Sequence, residues 1–321
     1  MISTGSMATA DSKYPLVSIV IPTHNRANTI ERTIRSVLQQ TYNNIELIII
    51  DDGSTDNTEA VLHKYHSPAL RIFRHEKNQG AASAKNSGLK RVQGQWFTIL
   101  DSDDEIEPHA IETMMRIPLL VDPTVTAVTC NCWDTTTCEF SGKGLSQDQY
   151  VDVSTLMTAC KGEFWGITSA SLLDGKGFNE KIVGFENILW YQLNEKARRY
   201  YIHAPLRIYH TEGTDRIRKT KYSFKREVTL FENLIDEHGY LDTIRKYRPA
   251  DYFLLCRNGV VVMRAGNRKD LASRYYELSK QIGRSSILDL SYRYKLVSII
   301  LRRYKMLKYR LRSYLYPHRH P

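Results

Sequence analysis

The stretch LVSIVIPTHNRANTIERTIRSVLQQTYNNIELIIIDD, residues 16–52, contains two apolar runs with an amphipathic segment between them. The first run, residues 16–21, is rich in β-branched side chains and predicts a buried strand. Asn28 and Glu31 form the pattern of a capping box at the start of a helix. Apolar side chains then recur at the spacing of one helix face: Ile30, Ile34, Val37 and Leu38. A second apolar run at 47–50 completes a predicted unit of strand, helix and strand.

The same alternation of strands and helices continues beyond this unit. Further strands are predicted at 71–74, 96–100 and 125–130, and further helices at 56–66, 81–92, from Pro108 onward and at 188–199. Residues 134–150 form a polar excursion, and helical segments dominate from about residue 215. Strands that alternate with amphipathic helices pair in parallel and are covered on both faces. The sequence therefore predicts an α/β fold with a Rossmann-like, mostly parallel sheet and a helical C-terminal extension.

Length and composition are those of a globular protein with one large domain. The 321 residues are 42% hydrophobic, which is enough to bury a sizeable core. We expect a disordered N-terminus at 1–13, a main α/β domain at 14–220 and a helical extension at 221–321.

Several features bear on the compartment. No run reaches the roughly 18 to 20 apolar residues that span a membrane, and the segment before residue 17 is polar. Five cysteines without a repeated metal-ligand spacing favour a reducing compartment. We therefore expect a cytoplasmic protein, or one that is peripheral on the cytoplasmic face of a membrane.

The formal net charge of +10 is concentrated in the C-terminal tail. The segment after Asp289 contains nine lysines and arginines and no acid, which leaves residues 1–289 close to neutral. Large apolar residues alternate with these cations between 293 and 315. This pattern is typical of a basic amphipathic helix on an anionic membrane surface. A helix that packs on the protein and exposes a basic face is the alternative.

A cluster of carboxylates, Asp101-Ser102-Asp103-Asp104, directly follows the predicted strand WFTIL. Carboxylates crowded at a strand end repel one another unless a cation neutralises them. Magnesium and manganese bind one or two carboxylates together with water and substrate phosphates. The ordinary alternative is a set of turn and capping acids ahead of the next helix. The position after a buried strand favours a divalent metal site.

Two other loops carry polar groups at the predicted ligand-binding edge, because ligands bind outside the carboxyl ends of strands in such sheets. Asp52 follows the second strand and can either accept hydrogen bonds from a nucleobase or ribose, or brace its own loop. The small-residue segment at 78–88 places Lys85 near a helix start, where backbone donors and the helix dipole favour phosphate. The sequence contains neither GxxxxGK[ST] nor GxGxxG, which disfavours kinases, nucleoside triphosphatases and dehydrogenases.

Four segments stand in a distinctive order and spacing: VSIVIPTHNRANTIERTIRSVLQQTY at 17–42, IELIIIDDGSTDNT at 45–58, NQGAASAKNSGL at 78–89 and FTILDSDDEI at 97–106. Together they resemble glycosyltransferase family 2. The resemblance is strong over about residues 16–115, loose over 160–215 and absent beyond 225. It implies the type A glycosyltransferase fold and a nucleotide-sugar donor, with UDP as the family's commonest nucleotide.

The resemblance also implies roles for single residues of the donor site. The nucleoside would be held by Pro22, Thr23, His24, Asn25 and Asp52, the diphosphate by Lys85, and the ribose side by Asp101, Ser102 and Asp103. Mn²⁺ or Mg²⁺ would be bound by Asp103 and Asp104, with His210 as a further metal ligand or a phosphate contact. The family often has Arg in place of Lys85, and lysine keeps the charge but loses bidentate phosphate binding.

The catalytic base of this family usually lies in an acidic pair ahead of a helix, and the matching stretch here is GFENILW at 184–190. Asn187 replaces the second acid, so Glu186 is the candidate base. An ordinary first-turn helix acid is the alternative for Glu186. A basic run after His210 resembles the segment that closes over the diphosphate in many type A enzymes: Arg216, Arg218 and Lys219.

These features predict a metal-dependent, inverting glycosyltransferase in which Glu186 deprotonates an acceptor hydroxyl. The acceptor would be a glycan or a lipid-linked glycan, in the synthesis of glycans, cell-surface polysaccharide or glycolipid. A catalytically inactive sugar-nucleotide-binding protein is a second hypothesis, because Asn187 replaces an acid. A nucleic-acid-binding protein that uses the basic tail is a third. The near-neutral residues 1–289 and the acidic loops argue against the third, so we expect no nucleic acid partner.

Overall fold

The computed structural model of the protein describes residues 14–182, 185–211, 223–282 and 286–303. The chain forms two compact units. The first comprises, among the described residues, 14–178 and 196–211, and the second comprises 179–182, 185–195, 223–282 and 286–303. The segment expected to be disordered, 1–13, lies outside the described residues. The domain boundary at 220 stays a prediction, and residues 179–195 group with the second unit rather than the first.

The first unit is built on one sheet. Its strands are β1 (Val17–Thr23), β2 (Ile45–Asp51), β3 (Leu70–Arg74), β4 (Trp96–Ile99), β5 (Glu105–Ile106), β6 (Ala127–Asp134), β7 (Glu139–Phe140), β8 (Gln149–Val151), β9 (Phe164–Ser169) and β10 (Arg199–Tyr209). Their order across the sheet is β3-β2-β1-β4-β9-β6-β10-β5, with β7 on β6 and β8 on β10.

Six strands, β3, β2, β1, β4, β6 and β10, run in the same direction. β9 lies antiparallel between β4 and β6. The predicted α/β class with a mostly parallel sheet is therefore confirmed. The reversed strand in the middle of the sheet was not predicted.

Helices cover both faces of this sheet. They are α1 (Ile30–Leu38), α2 (Thr58–Leu62), α3 (Ala81–Leu89), α4 (Ala110–Arg116) and α5 (Val153–Thr158). Alternate residues of β1 serve opposite faces, since Ile19 and Ile21 join the main core with α1 and α4, whereas Val20 packs with Ala84 of α3. Each of the fully buried isoleucine and valine side chains stabilises the fold by about 1.5–3 kcal/mol relative to exposure.

Three details of the predicted helices are corrected. The capping box does not form: α1 begins at Ile30 without a side-chain cap, and Glu31 bonds to Arg35 one turn later, at 2.5 Å. The helix expected from Pro108 begins two residues later. The helix expected over 188–199 ends at residue 194, because residues from 199 onward pair with β6 instead.

The second unit is helical, which confirms the predicted extension. Its helices are α6 (Asn187–Asn194), α7 (Phe224–Leu234), α8 (His238–Tyr247), α9 (Pro249–Ala265), α10 (Lys269–Lys280) and α11 (Ser286–Arg293). Tyr275 of α10 is buried and donates a hydrogen bond to the carbonyl of Phe231 at 2.7 Å. A Cβ at Gly259 would lie 2.5 Å from the Tyr275 ring, so glycine permits the close approach of α9 and α10. In the part of the chain that the structure describes, every helix is too short or too polar to cross a membrane.

Candidate active site

Three loops meet at one edge of the sheet of the first unit. They follow β2, β1 and β4, which lie side by side and parallel. Because the carboxyl ends of parallel strands share an edge, the loops at 23–26, 51–56 and 101–104 come together. The residues at the ends of β1 and β2 that were predicted to hold the nucleoside all lie at this edge: Pro22, Thr23, His24, Asn25 and Asp52.

The loops after β1 and β2 are tied to each other. The Asp52 amide donates to the Thr23 carbonyl at 2.8 Å, and His24 Nδ1 lies 2.9 Å from the Asp52 carbonyl oxygen. Asn25 has a positive φ of 52°, and its side-chain oxygen accepts the Thr55 amide at 2.8 Å. These residues therefore form a fixed wall of the site, because each is bonded within the unit.

Asp52 is almost fully buried, with 2% of its surface exposed. Its carboxylate accepts the backbone amides of Gln79 and Gly80, each at 2.8 Å. His75 Nδ1 lies 2.7 Å from the same carboxylate. The loop-bracing alternative therefore describes the geometry of Asp52 in this structure, and its contact with a nucleoside stays a prediction.

The carboxylate motif after β4 is held by the start of α1. Thr29 Oγ1 donates to the Ser102 carbonyl at 3.0 Å, and the Arg32 guanidinium donates to the Asp103 carbonyl. Within the motif, Ser102 and Asp104 are buried, whereas Asp101 and Asp103 are partly exposed. The four residues thus face different surroundings although they are adjacent in sequence.

A buried arginine of β10, Arg207, forms ion pairs with two of the acids. It bonds to Asp104, with Nε to Oδ2 at 2.9 Å, and to Asp101, with Nη2 to Oδ2 at 2.8 Å. Burial raises the pKa of Asp104 to about 6, and Arg207 only partly offsets this effect. Burial also acts to raise the pKa of Asp101, but Lys85 and Arg207 together bring it below its usual value. Asp101 therefore remains ionised at neutral pH.

Lys85 extends from α3 toward the same edge. Its Nζ lies 4.0 Å from Asp101 Oδ1 and 5.6 Å from the centroid of the Phe178 ring. The neighbouring Asn86 fixes Phe178 by bonding to its amide at 2.7 Å and its carbonyl at 2.9 Å. The predicted cation is thus beside the carboxylate motif, where it can reach a phosphate bound there.

The geometry fits a metal that shares its coordination with a substrate. In the described ranges, no three His, Cys, Asp or Glu side chains are grouped so that they alone could hold an ion. Mg²⁺ and Mn²⁺ do not need such a group, since phosphate oxygens and water complete a site with one or two carboxylates. Asp103, whose side chain is 36% exposed, is suited to this, whereas both oxygens of Asp104 are bonded within the protein.

His210 lies next to the motif. Its amide donates to Asp104 Oδ1 at 2.8 Å, and its Nε2 lies 2.8 Å from Glu105 Oε1. A carboxylate on one ring nitrogen orients the other, as it does for many metal-binding histidines. A metal or phosphate role of His210 stays a prediction.

Glu186 belongs to the second unit, where it immediately precedes α6. Asn187, which replaces the family's second acid, hydrogen-bonds to Tyr240 of α8, and burial raises the pKa of that tyrosine. Gly184 of the matched stretch lies outside the described residues, and so do Arg216, Arg218 and Lys219. The role of Glu186 as a base stays a prediction.

Sequence reasoning missed three arginines of this site. Arg26 Nε lies 3.8 Å from Asp103 Oδ2, and Arg32 and Arg207 contact the motif as described. Arg26 directly follows the polar residues after β1, so its position was a usable signal. A second signal was an arginine inside the apolar run APLRIY at 204–209, because a buried charge requires a partner.

Residues 18–142 match glycosyl transferase family 2. This segment belongs to glycosyl transferase family 2. The family segment contains all three loops at the sheet edge, whereas Arg207 and Glu186 lie beyond it.

Relatives of known name support the same family. A GalNAc(5)-diNAcBac-PP-undecaprenol beta-1,3-glucosyltransferase of Campylobacter jejuni is 35% identical over 203 residues, which cover 61% of this chain and 64% of the relative. A chondroitin synthase of Pasteurella multocida is 33% identical over 264 residues, covering 75% of this chain and 26% of the relative. The chain thus spans less than two thirds of the length of these relatives.

Solved structures share the fold of this chain. The S. aureus TarS 1–349 structure in complex with UDP-GlcNAc matches this chain with a TM-score of 0.63 at 16% sequence identity. The match covers 90% of this chain and 92% of the TarS chain. At this identity the likeness concerns the fold alone. It confirms the type A glycosyltransferase fold predicted from the sequence.

Proposed function

We propose that this family 2 chain is an inverting glycosyltransferase, which moves a sugar from a UDP-sugar donor to an acceptor hydroxyl. One observation carries the proposal: three polar loops meet at one sheet edge, where Lys85 and Arg26 stand beside Asp101 and Asp103. Mixed charges of this kind suit a nucleoside diphosphate bridged by a metal. The carboxylates bind the cation, and the basic side chains bind phosphate oxygens.

Within this proposal, Asp103 and the outward oxygen of Asp101 would hold Mn²⁺ or Mg²⁺. The metal supplies Lewis-acid neutralisation of the leaving nucleoside diphosphate. Lys85 and Arg26 add positive charge next to the phosphates. Thr23, His24 and Asn25 form the wall against which the nucleoside lies.

Glu186 acts as the general base in the proposed reaction. Its carboxylate takes the proton of the acceptor hydroxyl while that oxygen attacks the anomeric carbon. The bond between the anomeric carbon and the diphosphate breaks on the opposite face, so the configuration inverts in one displacement. The loss of a general base typically lowers turnover by 10²–10⁴-fold, which is the range expected for Glu186→Gln.

We propose a glycan or lipid-linked glycan as the acceptor class. The Campylobacter jejuni relative is named for an undecaprenol-linked acceptor, and a Pasteurella multocida relative is named a hyaluronan synthase. Both names describe sugar transfer in the assembly of glycans. The same class is proposed for this chain, in polysaccharide or glycolipid synthesis.

We further propose that the start of the basic tail contacts an anionic membrane surface, which would place the protein peripherally on the cytoplasmic face. Among the described residues, one side of the helical stretch at 295–303 packs inward, with Ser298 buried and the Arg302 guanidinium 3.7 Å from the centroid of the Phe224 ring. The other side exposes Leu296 and Ile300 to 67% and 56%. Exposed apolar residues among cations favour insertion at a lipid interface. Tyr304 and the rest of the tail lie outside the described residues.

The experiment that tests the proposed function measures UDP binding by calorimetry with Mn²⁺ or with EDTA, and UDP-sugar hydrolysis or transfer. We expect binding to depend on the metal and Asp103→Asn to lose most of both signals. Asp122→Asn is the matched control, because Asp122 precedes β6 and so lies at the opposite edge of the sheet.

UDP binding that is unchanged in EDTA would overturn the metal assignment. Metal-dependent binding without turnover of any donor would favour the inactive sugar-nucleotide binder, and RNA binding without UDP binding would favour the nucleic-acid hypothesis.

A further inference from the structure

Arg207 is a buried positive charge of the candidate site. It lies on β10 with 5% of its surface exposed, and its guanidinium is 5.4 Å from the centroid of the Tyr209 ring. Arginine stays protonated in proteins, so a buried arginine requires anionic partners. Its partners, Asp101 and Asp104, come from a loop more than a hundred residues earlier in the chain.

The three carboxylates of the motif are engaged to different degrees. Asp104, 1% exposed, uses Oδ2 for Arg207 and Oδ1 for the His210 amide. Asp101 gives one oxygen to Arg207 at 2.8 Å, while the other lies 4.0 Å from Lys85 Nζ. Asp103 instead faces Arg26 across 3.8 Å with a partly exposed side chain. Capacity to bind an external cation is therefore lowest for Asp104 and higher for Asp101 and Asp103, whose side chains are 48% and 36% exposed.

We propose that Arg207 is a positioning residue, which determines through its bonds to Asp101 and Asp104 which carboxylate oxygens of the motif can bind a metal. It fixes Asp104 as an internal anchor and orients Asp101, so that only Asp103 and the outward oxygen of Asp101 face the donor and its metal. The inference rests on the proposed function for the identity of the ligand. It revises the prediction that Asp104 is a metal ligand.

The charge balance makes the proposal testable through two effects of opposite sign. Arg207, Lys85 and Arg26 stand beside the three carboxylates of the motif, and a neutral residue at 207 makes the net charge of this cluster one unit more negative. A divalent cation should then bind the nucleotide-free protein about tenfold or more tightly, given the strength of charge interactions at an effective dielectric constant near 20. UDP should bind less tightly in the presence of Mn²⁺, because Asp101 loses its orientation. General damage to the fold would weaken both kinds of binding.

The test titrates Mn²⁺ into the full-length protein without nucleotide, and follows the electron paramagnetic resonance signal of the free ion. UDP affinity is measured by calorimetry at saturating Mn²⁺. For Arg207→Gln we expect tighter Mn²⁺ binding and at least tenfold weaker UDP binding. Arg207→Lys keeps the charge without the two-pronged contact, so its Mn²⁺ affinity should stay within about threefold of wild type while UDP binding weakens.

Arg199→Gln is the matched control. Arg199 is a second buried arginine on β10, where it bonds to Thr129. It pairs opposite Ala127 of β6 and Arg207 opposite Cys132, so five residues of strand β6 separate the two positions by roughly 17 Å. It should leave both affinities within about twofold of wild type. An equal loss of UDP affinity in Arg199→Gln and Arg207→Gln would overturn the proposal.

The double variant Asp104→Asn/Arg207→Gln removes both buried charges and guards against failure of the single variant to fold. We expect it to unfold at a temperature nearer to wild type than Arg207→Gln does, and to bind Mn²⁺ as wild type does, because the net charge of the cluster returns to the wild-type value. Its UDP affinity should stay low, because Asp101 remains unoriented. Wild-type UDP affinity in the double variant would overturn the positioning role. If the wild-type protein binds no UDP at all, the proposed function fails, and the Mn²⁺ titration still reports on the charge balance.

Discussion

Asp52→Asn separates the two roles considered for Asp52, because the amide keeps the size of the side chain and changes only its bonding. In the structure the carboxylate accepts two backbone amides and faces His75. An asparagine has one acceptor oxygen, so its NH₂ group must face at least one of these three donors. One backbone amide of the 79–80 turn then lacks an acceptor in a buried site.

The magnitude follows from this geometry. Hydrogen bonds to charged groups contribute about 1.5–3 kcal/mol each, and an unsatisfied buried donor costs about 1–3 kcal/mol. With one bond lost and the remaining bonds weakened by the missing charge, we expect a loss of roughly 2–4 kcal/mol in the free energy of unfolding. For a unit of this size, that corresponds to a decrease of about 5–15 °C in melting temperature.

The assay is thermal unfolding followed by circular dichroism, together with UDP calorimetry below the transition. Asp103→Asn is the control for stability, since its partly exposed side chain should change the free energy of unfolding by no more than about 0.5 kcal/mol. If Asp52→Asn melts like wild type and loses only UDP affinity, the bracing argument is refuted and Asp52 is a nucleoside contact.

Three further predictions concern other parts of the chain. Glu186→Gln should leave UDP affinity within about twofold and lower turnover by about a hundredfold or more; normal turnover would move the base to another acid, such as Asp174, Glu180 or Glu195. Gly88→Ala should destabilise the first unit by about 1–3 kcal/mol, because the new Cβ would lie 2.2 Å from Val20 Cγ1. Gly239→Ala, whose Cβ would meet nothing closer than 3.7 Å, is its helical control in urea unfolding, and equal midpoints would contradict the overpacking argument. Replacing both Leu296 and Ile300 with serine should weaken sedimentation with anionic liposomes at low salt, whereas Leu254→Ser, at an exposed leucine of α9, should not; if wild type itself does not sediment, the membrane proposal fails.

Local patterns in the sequence were sufficient to predict the strands that position the donor loops. The apolar runs of β1, β2 and β4 are each followed by polar residues within the same short segment, so strand, loop and ligand type could be inferred together. The capping box failed because Glu31 had a closer competitor in Arg35, one turn along the same helix. The predicted C-terminal end of α6 was wrong, because residues from 199 onward pair with β6 although their apolar spacing suits a helix.

Contacts between distant segments could not be predicted in this way. The antiparallel position of β9 depends on its pairing with both β4 and β6, and no local spacing encodes this. The bond between Arg207 and Asp104 joins residues that are 103 positions apart. The prediction that Asp104 is a metal ligand depends on its acidity, which is visible in the sequence. Its bond to Arg207 is not visible there.

The location of Arg207 on the last strand has a consequence for how the protein is made. A nascent chain that has emerged only as far as residue 142 contains the whole family 2 segment and all three acids of the motif, but neither β9 nor β10. At that stage β4 and β6 lack the strand that lies between them, and Asp104 lacks its guanidinium partner. Asp104 can thus acquire both of its partners only after synthesis has passed His210. The smallest fragment that contains every bond of the donor edge described above is therefore about half as long again as the segment by which the family is recognised.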